Sequence, residues 1–354
     1  MKKTFLYEDH LSHDAKMVDF SGWSMPINYG SQIDEHHQVR NDVGIFDVSH
    51  MSIFKISGQN AEGYLRYIFS NDVKKISSKN KALYGLLLNE NAGIIDDLIV
   101  YCLEGDFMIV SNCATKEKNE AWYQRHASEF DVSVEYIDNQ GILAVQGPNS
   151  IKVIEKIFGV EASSLNTNEC VKVDGVMIAK TGYTGEEGFE VVCENKYLRK
   201  IWNSTIESGA KPIGLAARDT LRLEAGFCLY GSDMDESVNP HACGLTWTVD
   251  LNDEDREFIG KQAFLNINEK DEQKMIGILL KDKGILRPGY EITHMDGKGT
   301  VLSGTFSPTL KKSIGLARVD RTVEQSGRVK IRNKELEIEF VSPRFLKKYK
   351  ISHE

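Results

Sequence analysis

The run Ile94-Ile95-Asp96-Asp97-Leu98-Ile99-Val100-Tyr101 puts two adjacent carboxylates inside an apolar, strand-like stretch. Side chains alternate along a strand, so Asp96 and Asp97 are expected on opposite faces of a sheet. If both faces are covered, at least one carboxylate is buried, which is costly without a partner. Burial raises the proton affinity of a carboxyl toward the range useful in acid–base chemistry, so the pair is a functional-site candidate. The structural alternative is an edge strand with one Asp solvated and the other capping a turn. The pattern alone leaves both open.

The surrounding patterns read as α+β. Strands are expected at 51–57, 82–88, 93–101 and 107–111, with helices at 59–70 and 115–128. Further strands follow at 141–145, 176–179 and 189–193, and helices at 196–208 and 216–230. The irregular spacing argues against a regular parallel βαβ array. Residues 1–50 mix turn chemistry with aromatics, as in Phe20-Ser21-Gly22-Trp23. Charged runs around one short helix mark a boundary near 251–275. Beyond it lie short β segments at 275–280, 300–305, 313–319, 328–331 and 336–341, the pattern of a small all-β barrel or sandwich.

At 354 residues, two or three domains are expected. Lys plus Arg total 43 against 52 Asp plus Glu, a net charge of −9. That balance disfavours sequence-independent nucleic-acid binding and a polybasic membrane surface. No window nears the ~18 apolar residues of a spanning helix, and no apolar run follows Lys2-Lys3, so a signal peptide is not expected. Six scattered cysteines without a C-x-x-C predict reduced thiols, a cytosol-like compartment and no zinc site.

Two more segments are chemical candidates. Residues 181–190 carry Gly182, Gly185 and Gly188, a loop suited to close backbone approach or a tight β-turn. It has neither G-K-[ST] nor G-x-G-x-x-G, so it is no P-loop and a dinucleotide is disfavoured. On the helix after Gly214, Arg218, Asp219, Arg222 and Glu224 cluster. They suit an arginine fork for an anionic ligand or a partly buried salt-bridge network. Asp47-Val48-Ser49-His50 is rejected as a triad, because triad members meet in space rather than as neighbours. The adjacent His36-His37 lacks the i, i+4 spacing of a metal pair.

Together these segments resemble the glycine cleavage system T-protein family of tetrahydrofolate-dependent aminomethyltransferases. The resemblance runs through Asp19-Phe20-Ser21-Gly22-Trp23, Arg40-Asn41-Asp42-Val43-Gly44-Ile45-Phe46-Asp47 and the Ile-Ile-Asp-Asp-Leu strand. It continues through Gln146-Gly147-Pro148, Gly182-Tyr183-Thr184-Gly185-Glu186, Ala216-Ala217-Arg218-Asp219, Asp233-Met234-Asp235 and Phe306-Ser307-Pro308-Thr309-Leu310. It implies a three-domain cloverleaf around a central folate cavity. Residues 1–50 plus 138–250 would form a discontinuous first α+β domain that binds folate. Residues 51–137 would form the second, with 251–270 a candidate addition, and 275–354 a small C-terminal β-barrel or jelly-roll-like domain.

The resemblance also implies an enzyme that moves a one-carbon unit from an aminomethyl-lipoyl H-protein to tetrahydrofolate, releasing ammonia. Asp97 would be the catalytic carboxylate, with Asp219 in support. Glu190 and Arg218 would bind folate, joined by Tyr84, Asn112 and Tyr183. Tyr349 matches a family tyrosine by its offset from Pro343. No metal, flavin or nicotinamide is implied, no nucleic acid or membrane partner, and the cytoplasm is the expected location. Alternatives on the same fold are a folate-dependent demethylase of a small methylated sulfonium or amine, and a non-enzymatic folate-binding iron–sulfur assembly factor. The latter's K-G-C-[FY]-x-G-Q-E type segment is missing here. Two departures touch the cavity: Asn91-Ala92-Gly93 has one glycine where two are common, and Asn166-Thr167-Asn168 replaces aromatics. The basic stretch 344–350 is a candidate contact for an acidic carrier.

Overall fold

The computed structural model describes residues 1–77, 79–268, 273–295, 297–320, 325–347 and 350–351. It opens on a sheet of β1 (Lys2–Lys3), β2 (Lys16–Phe20) and β3 (Trp23–Asn28), with α1 (Tyr7–Ser12) before β2. This sheet is absent from the sequence reading, where turn residues masked it. Ser21 and Gly22 both have positive φ, at 51° and 82°, the backbone of a two-residue hairpin turn that matches strand twist.

Helix α2 (Gln32–Asn41) follows, its N-terminus capped by the Ser31 hydroxyl accepting from Asp34 N at 3.2 Å. Strand β4 (Gly44–Asp47) then enters a six-stranded sheet that the chain leaves at once. The excursion builds an antiparallel five-stranded sheet from β5 (Ser52–Ser57), β6 (Lys81–Leu88), β7 (Ile94–Leu103), β8 (Asp106–Ser111) and β9 (Ser133–Tyr136), in the order β6-β7-β8-β5-β9. Helices α3 (Ala61–Ile68) and α4 (Lys116–Ala127) bury Tyr64, Leu65, Ile68 and Tyr123 against Phe54, Val100 and Ile109 of this sheet.

The chain returns through β10 (Gln140–Gln146), which pairs with β4. With β11 (Cys170–Val173), β12 (Val176–Ala179), β13 (Gly188–Glu194) and β14 (Lys211–Pro212) it completes the order β11-β12-β13-β10-β4-β14. Helices α5 (Ser150–Phe158) and α6 (Asn195–Glu207) cover it through Ile154, Leu198 and Trp202.

Helix α7 (Leu215–Ala225) ends five residues before the expected 230. Gly226 adopts φ +77° as a left-handed C-cap, and a Cβ there would overlap the Pro343 carbonyl. Residues 228–267, including α8 (Lys261–Asn266), pack against Leu86, Leu88 and Ile94 of the five-stranded sheet.

The C-terminal part is a closed barrel, β15-β18-β17-β16-β19-β20, from β15 (Lys274–Leu280), β16 (Glu291–His294), β17 (Gly297–Ser307), β18 (Lys312–Val319), β19 (Ser326–Ile331) and β20 (Lys334–Val341). The short β16 lacks a sequence signal of its own; its single apolar residue, Ile292, enters the barrel core. The barrel docks on α7 through Leu223, Leu279, Ile314, Leu316 and Phe345. The fully buried Glu224 accepts from Ser307 and Thr309 of the barrel and from Arg40 of α2. Despite burial, His36, Arg40 and Ser307 hold its carboxyl down at about 2. Among the described residues no helix is long and apolar enough to cross a membrane.

Arg256 fastens the segment after α7 to the end of α3. Its buried guanidinium donates to the carbonyls of Arg66 (2.9 Å), Ser70 (3.2 Å), Asn71 (3.1 Å), Asp250 (3.2 Å) and Phe69. Arg256→Ala strands these carbonyls and is expected to cost at least about 3 kcal/mol. Thermal denaturation checks it: a fall in Tm of roughly 4 °C or more is expected, and a change under about 2 °C would refute it.

Candidate active site

Strand β8 ends at Ser111, which pairs with Leu98, so Asp96 and Asp97 lie just past its end. The chain turning there into α4 lays Asn112, Thr115 and Asn119 over them. Alternation was expected to send the two carboxylates apart. Beyond the end of β8 the strand edge is open, and one amide reaches both: Asn112 Nδ2 is 2.7 Å from Asp96 Oδ1 and 2.9 Å from Asp97 Oδ1.

Asp96 is fully buried, and its Oδ2 accepts from Thr115 Oγ1 at 2.7 Å and Asn119 Nδ2 at 2.5 Å. The partly buried Asp97 also accepts from Tyr84 Oη of β6 at 3.0 Å. Burial first, and then the Asp96 charge, push the Asp97 carboxyl up to about 7. The indole of Trp247, 67% exposed, stacks on Tyr84 with centroids 5.8 Å apart. Sequence reading missed this tryptophan; its signal was an indole in the polar setting Thr246-Trp247-Thr248.

A second wall comes from the six-stranded sheet. Glu190 of β13 accepts on Oε2 from Thr181 Oγ1 (2.6 Å) and Tyr101 Oη (3.2 Å); no described residue donates to its Oε1. The glycine-rich loop is clamped to Gln146, which donates to Thr181 O and accepts from Thr184 Oγ1. A Cβ at Gly182 or Gly188 would overlap that amide, so these glycines serve close approach. The loop holds Tyr183, whose hydroxyl donates to the Cys228 carbonyl and whose ring stacks on Phe227 at 5.7 Å.

The two arginines of α7 divide the alternatives. Arg222 is buried in a network with Asp219, Asp233 and Ser303. The Arg218 guanidinium makes no hydrogen bond or ion pair with any described residue and lies 4.5 Å from the Tyr183 ring centroid. Nearby, burial and then the Arg218 charge hold His50 down at about 3, so that imidazole is neutral.

Tyr183 links the two walls: its ring lies beside the Arg218 guanidinium, and its hydroxyl donates to the carbonyl of Cys228, in the segment packed on the five-stranded sheet. The cleft lined by Phe46, Val48, Gln146, Tyr183, Glu190 and Arg218 is tight, about 10 Å³, close to one water. A larger cleft of about 180 Å³ lies by Arg40 and Glu186, where Arg40 is consumed by Glu186, Glu224 and two carbonyls.

Six of the sequence candidates thus form two connected groups: Asp97 with Tyr84 and Asn112, and Glu190 with Arg218 and Tyr183. Asp219 stands apart from the first group. Its carboxylate is 46% exposed and pairs with Arg222 at 2.9 Å, and its charge acts on Arg218. Tyr349 lies outside the described residues, as do the side chains of Lys347, Lys348 and Lys350 in the basic stretch.

A family model described as the GCVT N-terminal domain matches residues 6–253, and the glycine cleavage T-protein C-terminal barrel domain matches 273–347. An aminomethyltransferase of Francisella tularensis subsp. tularensis is 51% identical over 354 residues, covering 98% of each chain. One from Francisella philomiragia subsp. philomiragia is 47% identical over 358 residues, again covering 98% of each. The crystal structure of glycine cleavage system aminomethyltransferase T from Bartonella henselae superposes with a TM-score of 0.92 at 31% identity, covering 99% of each chain. Through both of its matched parts, the chain belongs to the glycine cleavage T-protein family of aminomethyltransferases.

Proposed function

We propose that this chain transfers a one-carbon unit from the aminomethyl-lipoyl arm of an H-protein to tetrahydrofolate, forming methylene-tetrahydrofolate, ammonia and reduced lipoyl H-protein. One observation carries the reading. A carboxyl with raised proton affinity, Asp97, on one wall faces a second wall where Glu190 and Arg218 keep atoms free for a ligand, with Tyr183 bridging from Arg218 to the Cys228 carbonyl.

Glu190 Oε1 suits the amino-pyrimidinone edge of a pterin, a donor face that a carboxylate recognises well. Arg218 suits an acceptor of the same ligand. The tight cleft means that a bicyclic ring enters as Arg218 lifts from Tyr183. Tyr84, Asn112 and Tyr183 complete the pocket, and Asp219 acts by holding Arg222 and biasing Arg218.

In the transfer, a folate nitrogen bonds to the methylene carbon as the bond to the departing amine breaks. The second folate nitrogen then replaces sulfur as the carbon–sulfur bond breaks. Two folate N–H protons are lost, and ammonia and the thiol each gain one. Asp97 orients the folate amine and stabilises cationic character on the methylene carbon. We place the protein in a reducing compartment such as the cytoplasm, which suits six unpaired cysteines.

The test is an assay with tetrahydrofolate and aminomethyl-loaded H-protein. Methylene-tetrahydrofolate is expected only with loaded carrier. Folate binding without transfer would overturn the reading and direct the search to small methylated sulfonium or amine donors.

A further inference from the structure

We propose that Asp96 is a positioning residue: kept as a carboxylate by three donors and joined to Asp97 through the Asn112 amide, it fixes a negative charge that makes Asp97 the carboxyl that takes and returns the reaction's proton. The inference rests on the transfer reading for the use of that proton, but its electrostatic core concerns this chain alone.

The argument starts from donors and acceptors. An ionised carboxylate accepts only; a protonated one must also donate. Asp96 meets Asn112 Nδ2, Thr115 Oγ1 and Asn119 Nδ2. The two amides are pure donors through these nitrogens. The Thr115 hydroxyl has one proton, and its 2.7 Å contact with Asp96 Oδ2 is shorter than its 3.0 Å contact with the Asn112 carbonyl, so the carboxylate receives it. Asp96 is also fully buried, and burial by itself raises its proton affinity; the hydrogen bonds from Asn112, Thr115 and Asn119 oppose that rise and hold the charge in place. A charge so held acts on its neighbour across a low-dielectric gap.

Asp97 differs in kind. It accepts from Tyr84 Oη and Asn112 Nδ2 and keeps partial exposure. Two like charges sharing one amide cannot both be cheaply ionised, so the proton goes to the carboxyl with fewer donors. That carboxyl is Asp97.

The other titratable groups bear on the pair from every side. Tyr84 of β6, Tyr183 of the glycine-rich loop, and Cys228 and Cys243 of the segment after α7 all feel the Asp97 charge. Tyr123 of α4 and Tyr230 feel that of Asp96, and Lys118 pairs with Tyr230 Oη at 2.9 Å. Burial raises the pKa of each of these tyrosines and cysteines, so they stay neutral near pH 7. That leaves Asp96 as the neighbouring anion.

In the step itself, a folate N–H bond breaks with its proton passing to Asp97 while the nitrogen lone pair bonds to the methylene carbon. The departing amine leaves with the electron pair of its carbon–nitrogen bond and takes that proton back from Asp97. No oxidant or reductant is required.

The experiment titrates the Asp97 carboxyl directly by carbon NMR of aspartate-labelled, folate-free protein, in wild type, Asp96→Asn and Thr115→Val. The pH profile of kcat/KM and the tetrahydrofolate Kd are measured alongside. Asp96→Asn is expected to lower the Asp97 midpoint by roughly one pH unit or more, and the acid limb of kcat/KM moves with it. The Kd is expected to stay within about threefold. Thr115→Val weakens the hold on the Asp96 charge and shifts the midpoint the same way by a smaller amount, so the proposal stays testable if Asp96→Asn does not fold. An unmoved midpoint in whichever variant folds, whatever its melting temperature, overturns the proposal by reducing Asp96 to a structural residue. A midpoint that moves in a protein that transfers nothing would uphold the electrostatic inference and sink the transfer reading instead.

Discussion

Asp97→Asn is expected to lower kcat for one-carbon transfer by at least about 100-fold, the lower end for loss of a positioned acid–base group. The side chain keeps its size, so the strand, the Tyr84 ring and the barrel are undisturbed. What changes is charge. Asn112 Nδ2 is a donor to Oδ1 and Tyr84 Oη a donor to Oδ2; the amide oxygen still accepts from Asn112, and the amide nitrogen donates to a Tyr84 hydroxyl turned to accept, so the two contacts survive while the charge is lost. The substituted site cannot take up a proton or offset positive charge on the methylene carbon. Glu190 and Arg218 are untouched, so tetrahydrofolate Kd is expected to change by less than about tenfold. Single-turnover kinetics with loaded H-protein, alongside folate binding, separates the two effects. A kcat within tenfold of wild type would remove Asp97 from the chemistry.

The second large effect falls on binding. Glu190→Gln is expected to weaken tetrahydrofolate binding by roughly 10- to 100-fold, the loss of a charge-assisted hydrogen bond worth about 1.5–3 kcal/mol. Oε2 is already held by Thr181 and Tyr101, which orient the carboxylate and leave Oε1 for the ligand. Glutamine presents either an amide nitrogen to the pterin edge, where a donor meets a donor, or the same nitrogen to Thr181 and Tyr101. At saturating folate, kcat is expected to recover to within about threefold, because Asp97 and its partners are unaltered. Calorimetric titration gives Kd directly. An unchanged Kd would show that the pterin does not use this carboxylate.

The α+β class was legible because hydrophobic periodicity is local. β7 shows ten residues of strand pattern, and α3 and α6 show clear amphipathic spacing. The C-terminal barrel was legible in kind from short β segments between turns, yet β16 was not, because four residues of Glu-Ile-Thr-His carry too little pattern. The N-terminal sheet was hidden because its strands are short and joined by residues that read as loop. The end of α7 carried a usable signal, Gly226, but only the approach of the Pro343 carbonyl makes glycine obligatory there.

The residues of the candidate site show the same division. The sequence carried the adjacent carboxylates, the glycine-rich loop and the two arginines, and motif order through the chain carried the family. Composition carried the acidic balance. None of this could say that Asn112 would serve both carboxylates, that Arg222 would be consumed by Asp233 while Arg218 kept its charge unpaired, or that Trp247 would stack on Tyr84. Those outcomes depend on where β8 stops and on how residues more than a hundred positions apart meet between two sheets. Strand and helix preferences act over a few residues and can be read along the chain. The proton affinity of a carboxyl depends on the donors and charges packed around it, and here only the folded chain brings them together.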